Sequence, residues 1–364
     1  MQKDSSLLDF FLELIVIDSV SENEKPVADY IIRFLTDLGL KPYTDDSIAI
    51  TGSNTGNVIC KVNGGGDFIL LCHMDTARPT KNVKPVFLED RITSDGSTVL
   101  GVDDRAGMAA LLFALKKAIT ENIPVRPCTL VFTTCEETTL LGSQSLKLDP
   151  AIKSGFVFDS YLPTGSFVNE SCGAVTLFIT IHGKASHSGI APEKGINAIQ
   201  IATEALSKFP FGRINADTTA NIGIIRGGTA TNVVPDKVEM EGEIRSKDPV
   251  IVEKEAAIIK RIFEETAALY GGKADVDIRW DFKPYHISPQ DEEYKRLQEV
   301  MSRLNLEAKP SASWGGSDAN SLNAKGIKTI NLGTGAQNPH SNDEFILLVD
   351  LENSFRIALE LMKK

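Results

Sequence analysis

The chain has 364 residues, an apolar content of 42% and a formal net charge of −11 at pH 7. Because this length exceeds that of a typical single hydrophobic core, the sequence predicts two domains. The negative charge argues against nucleic acid or an anionic membrane surface as the main partner.

The five cysteines are odd in number, form no CxxC pair and lie mostly in apolar, strand-like stretches (Cys60, Cys72, Cys128, Cys135 and Cys172). This pattern is typical of buried free thiols in a reducing compartment. The N-terminal residues lack the basic start and continuous apolar core of a signal peptide, and no stretch has the length and apolar character of a membrane span. We therefore expect a cytoplasmic location.

The first part of the chain mixes helical and strand-like patterns. Apolar spacing predicts helices over residues 6–17, 21–38 and 104–119, and strands over 48–51, 57–62, 68–73, 128–134 and 156–159. The glycine-rich stretch 63–67 predicts a tight hairpin link and not a phosphate loop, because a strand and not a helix follows it.

The pattern changes at about Cys172. Strands are predicted over 174–182, 221–225, 238–246 and 274–282, and helices over 192–209 and 249–270. This order is typical of a self-contained α+β unit with its helices on one face of a sheet. From about residue 284 the earlier pattern returns, with a helix over 291–304, a strand over 328–332 and a helix over 349–364. The sequence therefore predicts an inserted domain, residues 173–284, within a first domain made of residues 1–172 and 285–364.

Four separate apolar strands each end on, or lead into, an acidic residue or a histidine. These residues are His73, the pair Glu136-Glu137, Asp159 and, in a loop, His340. Ligand sites form at the carboxyl edge of the strands in open α/β sheets, so we expect these side chains to converge there. Each residue alone has an ordinary explanation as a turn or strand-end residue. Together they predict a metal cluster.

Asp103 and Asp104 stand between an apolar approach and the helical run that starts near Met108. Adjacent acids at a helix start also occur simply because they cap N–H groups and complement the helix dipole. If the strand ends converge, however, Asp103 lies at the centre of the cluster.

Neighbouring residues in the cluster can take different tasks. Residues two apart on a strand share a face, so Asp75 can hydrogen-bond the ring nitrogen of His73 that does not bind metal. Glu136 and Glu137 point in different directions, so one can bind metal while the other moves a proton of a water.

The chain resembles the dinuclear zinc exopeptidases and deacylases that include peptidase T, carboxypeptidase G and succinyl-diaminopimelate desuccinylase, and it is most similar to the peptidase T-like aminopeptidases. The matching stretches cover nearly the whole chain in order; they are His73-Met74-Asp75, Gly101 to Gly107, Glu136-Glu137, Asp159, Gly183 to Gly189, Gly227 to Asp236 and Pro339 to Phe345. The resemblance implies an α/β catalytic domain with a mixed sheet and helices on both faces, and an inserted α+β, ferredoxin-like lid or dimerisation domain.

The resemblance also implies roles for individual residues. Asp103 would bridge two Zn²⁺ ions and would be joined to Asp104 by a cis peptide bond. His73 and Asp159 would complete one metal site, and Glu137 and His340 the other. Asp75 would orient His73, and Glu136 would be the general base. Co²⁺ or Mn²⁺ could replace zinc at such a set of ligands.

In the inserted domain, the resemblance assigns His187 to the oxyanion of the reaction, often across a dimer interface, and Asn232 and Arg245 to the substrate carboxylate or carbonyl. Ordinary alternatives are a surface histidine and a strand arginine paired with Glu243 or Glu241. Gly315 and Gly316 open a helix and could hold an anionic substrate end. The alternative there is a helix cap made by Ser317 or Asp318.

The function expected from these features is a zinc-dependent aminopeptidase that hydrolyses di- and tripeptides from the N-terminus. One alternative is an N-acyl amino acid deacylase or carboxypeptidase of the same family, and a remote one is a catalytically inactive metal-binding homologue. The expected partner is a short peptide substrate, with a homodimer through the inserted domain compatible with the resemblance. Neither nucleic acid nor a membrane is expected.

Overall fold

The computed structural model describes residues 6–364, which form two compact units. The first unit comprises residues 6–170 together with His286–Lys364, and the inserted unit comprises Ser171–Tyr285. Residues 1–5, which the sequence assigns to the first domain, lie outside the described residues. In the described part of the chain, no helix combines the length and apolar character needed to cross a bilayer.

The α-helices are α1 (Leu7–Ile15), α2 (Lys25–Asp37), α3 (Ile48–Thr51), α4 (Val102–Thr120), α5 (Leu141–Ser145), α6 (Ala198–Leu206), α7 (Pro249–Leu269), α8 (Glu292–Arg303), α9 (Asp318–Ala324) and α10 (Leu348–Met362). The strands are β1 (Tyr43–Thr44), β2 (Val58–Val62), β3 (Phe68–His73), β4 (Pro85–Phe87), β5 (Arg91–Ser94), β6 (Cys128–Thr133), β7 (Ser154–Ser160), β8 (Ser166–Ser171), β9 (Gly173–His182), β10 (Gly212–Asn215), β11 (Thr218–Gly227), β12 (Lys237–Ser246), β13 (Lys273–Phe282), β14 (Tyr285–His286), β15 (Lys309–Ser313), β16 (Lys328–Gly333), β17 (Ala336–Gln337) and β18 (Phe345–Leu347).

The main sheet has the order β1-β2-β6-β3-β7-β16-β8-β14, with β15 beside β8. Its four central strands, β6, β3, β7 and β16, run parallel to one another, whereas β2 pairs antiparallel with β6 and β8 pairs antiparallel with β16. Every residue of β3 and β6 is buried, so both faces of the sheet are covered. The predicted α/β fold with a mixed sheet is confirmed, and the carboxyl ends of the four central strands meet at one edge.

Two local predictions for the first unit are wrong. Residues 48–51 form the short helix α3, not a strand, and Gly52, with φ of +71°, ends it. Four residues are too few for periodicity to separate a strand from one helical turn. The stretch 63–67 does not close a hairpin, because β6 lies between β2 and β3 in the sheet. A Cβ on Gly66 would lie 2.1 Å from the carbonyl oxygen of Pro127, so this link packs against the approach to β6.

The inserted unit is a five-stranded antiparallel sheet in the order β10-β11-β12-β9-β13, with α6 and α7 packed on it. Alternate residues of β9 are buried in the shared core, as expected for a sheet covered on one face. The predicted helix over 192–209 is too long. Pro192–Lys194 forms a 3₁₀ turn, Gly195 is extended, and α6 begins only after Asn197, whose side chain accepts a hydrogen bond from the backbone of Gln200.

Candidate metal centre

The site lies at the carboxyl edge of the four parallel strands in the first unit. His73 is the last residue of β3, Asp159 lies near the end of β7, and Glu136 and Glu137 follow β6. His340 lies in the loop between β17 and β18, which pair antiparallel in a small second sheet with β5 and β4. Sequence analysis did not predict this second sheet, whose strands have only two to four residues.

Asp103 lies between the two histidines. Its Oδ1 is 2.9 Å from Nε2 of His73, and its Oδ2 is 3.4 Å from Nε2 of His340. Asp159 Oδ1 lies 3.4 Å from the same nitrogen of His73, and Glu137 Oε1 lies 3.1 Å from that of His340. The structure therefore brings together all five residues predicted as metal ligands, with one carboxylate facing both imidazoles.

The chemistry of this donor set fits divalent cations. Imidazole nitrogens and carboxylate oxygens together suit zinc and related metals, and ligand atoms of His73, Asp103 and Glu137 all lie within 4.8 Å of one another. Oε1 of Glu137 is buried, and among the described residues its one polar neighbour is the His340 imidazole, which is itself a predicted metal ligand. Nδ1 of His73 lies 3.0 Å from the carbonyl oxygen of Asp75, which leaves Nε2 directed at the carboxylates.

Burial and charge perturb the titration of the cluster. Burial would raise the pKa of Asp103, but the two histidines hold that pKa well below its usual range. Burial raises the pKa of Glu136, Glu137 and Asp159, and each is raised further by a neighbouring carboxylate. The carboxylates of Asp103 and Glu137 raise the pKa of His340 to about 10. Several buried carboxylates in one place can remain ionised only if positive charge lies close to them.

The backbone at Asp103 departs from the helix that follows it. Asp103 and Asp104 have non-helical dihedral angles within α4, and the peptide bond between them is cis, as the resemblance implied. Gly107 lets this turn approach β7, because a Cβ there would lie 2.0 Å from the carbonyl oxygen of Phe158 and 2.5 Å from Oδ1 of Asp104.

Asp75 holds the turn that carries the two glutamates. Its Oδ1 accepts the backbone N–H of Glu136 at 3.0 Å and its Oδ2 that of Glu137 at 3.1 Å, while Ser21 Oγ donates to Oδ2 at 2.7 Å. The same carboxylate lies 3.4 Å from Nδ1 of His73. Asp75 thus positions three residues of the cluster at once, whereas sequence analysis predicted only its contact with His73.

Glu24 is a positioning residue that sequence analysis missed. It lies within the helix predicted over residues 21–38, but it precedes α2 without capping it, and its side chain is fully buried. Oε1 accepts the backbone N–H groups of Cys135 at 2.9 Å and Glu22 at 3.1 Å, and Oε2 accepts from Ser53 Oγ. Three successive backbone amides, 135 to 137, therefore donate to buried carboxylates.

Glu344 and Asp104 also hold backbone groups of the site through hydrogen bonds that the sequence did not predict. Glu344 accepts the backbone N–H groups of Gly101 at 2.6 Å and Asp103 at 3.1 Å, and burial raises the pKa of Glu344 to about 7. The Asp104 carboxylate accepts from the backbone of His73 and Gly107, so it braces the site although its position would also allow metal contact. A motif match to residues 339–345 was the only sequence signal for Glu344.

The inserted unit holds the other predicted residues. His187 and Asn232 lie exposed on neighbouring loops, joined by a hydrogen bond from Ser188 N to the carbonyl oxygen of Asn232 at 3.0 Å. Arg245 lies on β12 and donates to Glu243 Oε2 at 3.1 Å and 3.0 Å, which is the strand pairing that the sequence left as the alternative.

The Gly315-Gly316 turn precedes α9. Gly315 N–H donates to Ser313 Oγ at 3.0 Å, and Ser317 N–H donates to Asn320 Oδ1 at 3.0 Å. Part of this turn is therefore a helix cap at Ser317, which was the alternative to an anion site. The next residue, Asp318, is buried and accepts a hydrogen bond from Thr133 Oγ1. Burial raises the pKa of Asp318 to about 6.

Known proteins match the chain in both units. Residues 57–165 match the family model of peptidase family M28, and residues 169–271 match that of the peptidase dimerisation domain. Aminopeptidase PepT from Bacillus cereus, known from a crystal structure, is 34% identical in sequence to this chain. The match covers 98% of this chain and 97% of the PepT chain, and the two structures superpose with a TM-score of 0.90. The chain belongs to the peptidase T-like family. It is therefore a peptidase, and the family resemblance inferred from the sequence motifs is confirmed.

Further similar proteins match nearly the full length of the chain. A tripeptidase from Staphylococcus aureus is 34% identical over 98% of this chain and 97% of its own, with a TM-score of 0.92. The uncharacterized protein YqjE from Bacillus subtilis is 35% identical over 100% of this chain and 99% of its own. A dinuclear metal-binding peptidase of the M20 family from Bacillus subtilis, 18% identical with a TM-score of 0.72, shares the fold.

Proposed function

We propose that this peptidase T-like protein is a dinuclear zinc aminopeptidase that removes the N-terminal residue from di- and tripeptides. The observation that carries the proposal is the Asp103 carboxylate, which faces His73 with one oxygen and His340 with the other. The aminopeptidase and the tripeptidase similar to this chain support the substrate class.

In this proposal, Asp103 would belong to the ligand sets of two metal ions. His73 and Asp159 complete one ligand set, and Glu137 and His340 the other, in agreement with the pairs of short distances. The mixture of imidazole and carboxylate ligands favours Zn²⁺, with Co²⁺ or Mn²⁺ as substitutes. When bound, two such ions would polarise the scissile carbonyl and lower the pKa of the attacking water.

Glu136 is the proposed general base. In the described part of the chain no side chain forms a hydrogen bond or ion pair with its carboxylate, although Asp75 fixes its backbone. Burial raises the pKa of Glu136, which makes its carboxylate a stronger proton acceptor. Glu136 would take a proton from the attacking water and return it to the leaving amine.

Residues of the inserted unit complete the proposed machinery. His187 would donate a hydrogen bond to the developing oxyanion, because its exposed ring is available to a partner outside its own loop. Arg245 and Asn232 would hold the substrate carboxylate. The Gly315-Gly316 turn would contribute less, since Gly315 N–H already donates to Ser313.

A homodimer through the inserted unit is part of the proposal. The matched peptidase dimerisation domain supports it, as does the sheet edge at β11. Among residues 6–364, this strand pairs beyond its start only with β12, and Ile224 and Ile225 on it are 39% and 54% exposed. Unpaired strand edges with apolar side chains are suited to association.

Comparison of a tripeptide with its N-acetyl form tests the substrate assignment. An aminopeptidase cleaves the free tripeptide, releases the N-terminal residue and loses activity when the amino group is acetylated. The deacylase or carboxypeptidase alternative predicts that the acyl group is tolerated or required. Faster cleavage of the acetylated peptide, identified by chromatography of the released residue, would overturn the aminopeptidase assignment. An inactive homologue would cleave neither form at any metal loading.

A further inference from the structure

Arg105 lies on α4, two residues after Asp103, and is the largest fully buried side chain in the part of the chain that the structure describes. A buried guanidinium is tolerated when hydrogen-bond acceptors and nearby negative charge compensate it. The carboxylates of Asp104 and Asp75 supply negative charge near it. Its hydrogen bonds within residues 6–364, however, are made to backbone carbonyls and one hydroxyl, so they hold backbone segments in place.

All three guanidinium nitrogens of Arg105 donate hydrogen bonds. Nε donates to the carbonyl oxygen of Leu14 at 3.2 Å, Nη2 to that of Ile17 at 3.0 Å and Nη1 to that of Met74 at 2.9 Å. Nη2 also donates to Ser19 Oγ, which in turn donates to the Met74 carbonyl oxygen at 2.8 Å. The Met74 carbonyl oxygen is therefore held by two donors, one from Arg105 and one from Ser19.

The Met74 carbonyl is part of the peptide group that leads into Asp75. The Asp75 carboxylate accepts the backbone N–H groups of Glu136 and Glu137 and lies 3.4 Å from Nδ1 of His73. The carbonyl oxygen of Asp75 also lies 3.0 Å from that nitrogen. Because a rotation of the Met74 peptide group would turn Asp75, the contacts of Asp75 depend on the two donors that hold the Met74 carbonyl oxygen.

Arg105 also lies on the same helix as the central carboxylate of the cluster. Asp103 Oδ1 lies 2.9 Å from Nε2 of His73, and His73 directly precedes Met74. The hydrogen bond from the guanidinium to the Met74 carbonyl oxygen therefore joins the start of α4 to the end of β3, where these two predicted ligands meet. Loss of this bond would allow the two segments to shift against each other.

We propose that Arg105 is a positioning residue of the metal centre, which fixes the Met74 peptide group against α4 and thereby sets the spacing of the ligands on both segments. This inference rests on the proposed dinuclear function, because it concerns the geometry in which that site receives metal. Arg105 itself is too deeply buried to contact substrate. Replacement of residues that orient metal ligands from behind typically changes metal affinity or activity by about 10- to 100-fold.

Zinc affinity, measured by competition with a chromophoric chelator, tests the proposal without a peptide. Arg105→Lys keeps a positive charge but loses the planar fork that donates to several acceptors at once. We expect it to weaken zinc binding by about tenfold or more, whereas a role of the charge alone would leave the affinity of this variant unchanged. In tripeptide cleavage, kcat should fall while KM changes by less than about twofold, because Arg105 does not touch substrate.

Arg296→Lys is the matched control. Arg296 lies on α8 in the same unit, donates through Nη2 to the carbonyl oxygen of Leu361 at 2.6 Å, and packs on Phe68 at the opposite end of β3 from His73. The same substitution there should leave zinc affinity within about twofold of the native value. Native zinc affinity in Arg105→Lys, or equal losses in the two variants, would overturn the proposal.

Thermal unfolding of the metal-free samples checks that Arg105→Lys is folded. If it is not, Ser19→Ala replaces it, because this variant removes the other donor to the Met74 carbonyl oxygen. Ser19→Ala should weaken zinc binding by about threefold, and native affinity there would overturn the proposal. A native protein that binds zinc but cleaves no tripeptide would contradict the proposed aminopeptidase function, while the zinc titrations would still decide the role of Arg105. A native protein that binds no zinc would contradict both.

Discussion

Replacement of Glu24 should impair catalysis from a position that touches neither substrate nor metal. Its buried carboxylate accepts hydrogen bonds from the backbone of Cys135 and Glu22 and from the hydroxyl of Ser53. Cys135 immediately precedes the proposed base and one metal ligand. We expect Glu24→Ala to release this turn and Glu24→Gln to retain it, because a carboxamide keeps an oxygen at the same place.

The size of the effect follows from the buried contacts. Each buried donor left unsatisfied costs about 1–3 kcal/mol, and Glu24→Ala leaves three donors without their acceptor, two backbone N–H groups and the Ser53 hydroxyl. We therefore expect Glu24→Ala to lower the free energy of unfolding by about 3–5 kcal/mol. A displacement of about 1 Å at reacting groups can cost about 100-fold in rate. We expect a kcat decrease of that order in Glu24→Ala and a decrease of less than about fivefold in Glu24→Gln.

The assay is the release of the N-terminal residue from a tripeptide, with metal content and thermal unfolding measured on the same samples. Asp350→Ala is the matched control, because this buried carboxylate accepts from Thr164 N at 3.0 Å and from its Oγ1 at 2.6 Å, away from the glutamate turn. It should destabilise the protein to a similar extent while retaining kcat. Full kcat in folded Glu24→Ala, or an equal kcat loss in Asp350→Ala, would refute the positioning role.

Three further predictions address the proposed active site. Glu136→Gln should keep the fold and the metals but lose about 100- to 10,000-fold in turnover, whereas Glu137→Gln should weaken metal binding and recover with excess zinc; exchanged phenotypes would reverse the two assignments. His187→Ala should lower kcat more than it raises KM. If His187 acts across a dimer, mixing this variant with Glu136→Gln should restore activity, and formation of mixed dimers without recovery would place it in its own chain's site. In protein stripped of metal, His340, with its pKa raised to about 10, is protonated at pH 7. Metal binding should therefore release a proton and strengthen with rising pH, and a binding heat that is independent of the buffer's ionisation enthalpy would contradict this.

Much of the fold could be predicted because its signals are local. The strands β3 and β6 are continuous apolar runs, α4 is a long and largely apolar run, and α7 and α10 have long periodic patterns, so their type follows from the chain itself. The two-residue strands β14 and β17 and the helix α3 have no such signal, because they form where neighbouring segments supply hydrogen-bond partners. The same reason explains the failed hairpin, since β3 pairs with β6 and β7 and not with β2.

The sequence by itself determined the chemistry of the site: which strand ends carry histidines and carboxylates, and which motif places Asp103 before α4. Only the tertiary structure decided how these groups are held. Glu24 meets Cys135 across 111 positions and Glu344 meets Asp103 across 241, and no periodicity connects residues so far apart. Side-chain type is a local property, whereas counter-charges and hydrogen-bond partners are set by packing.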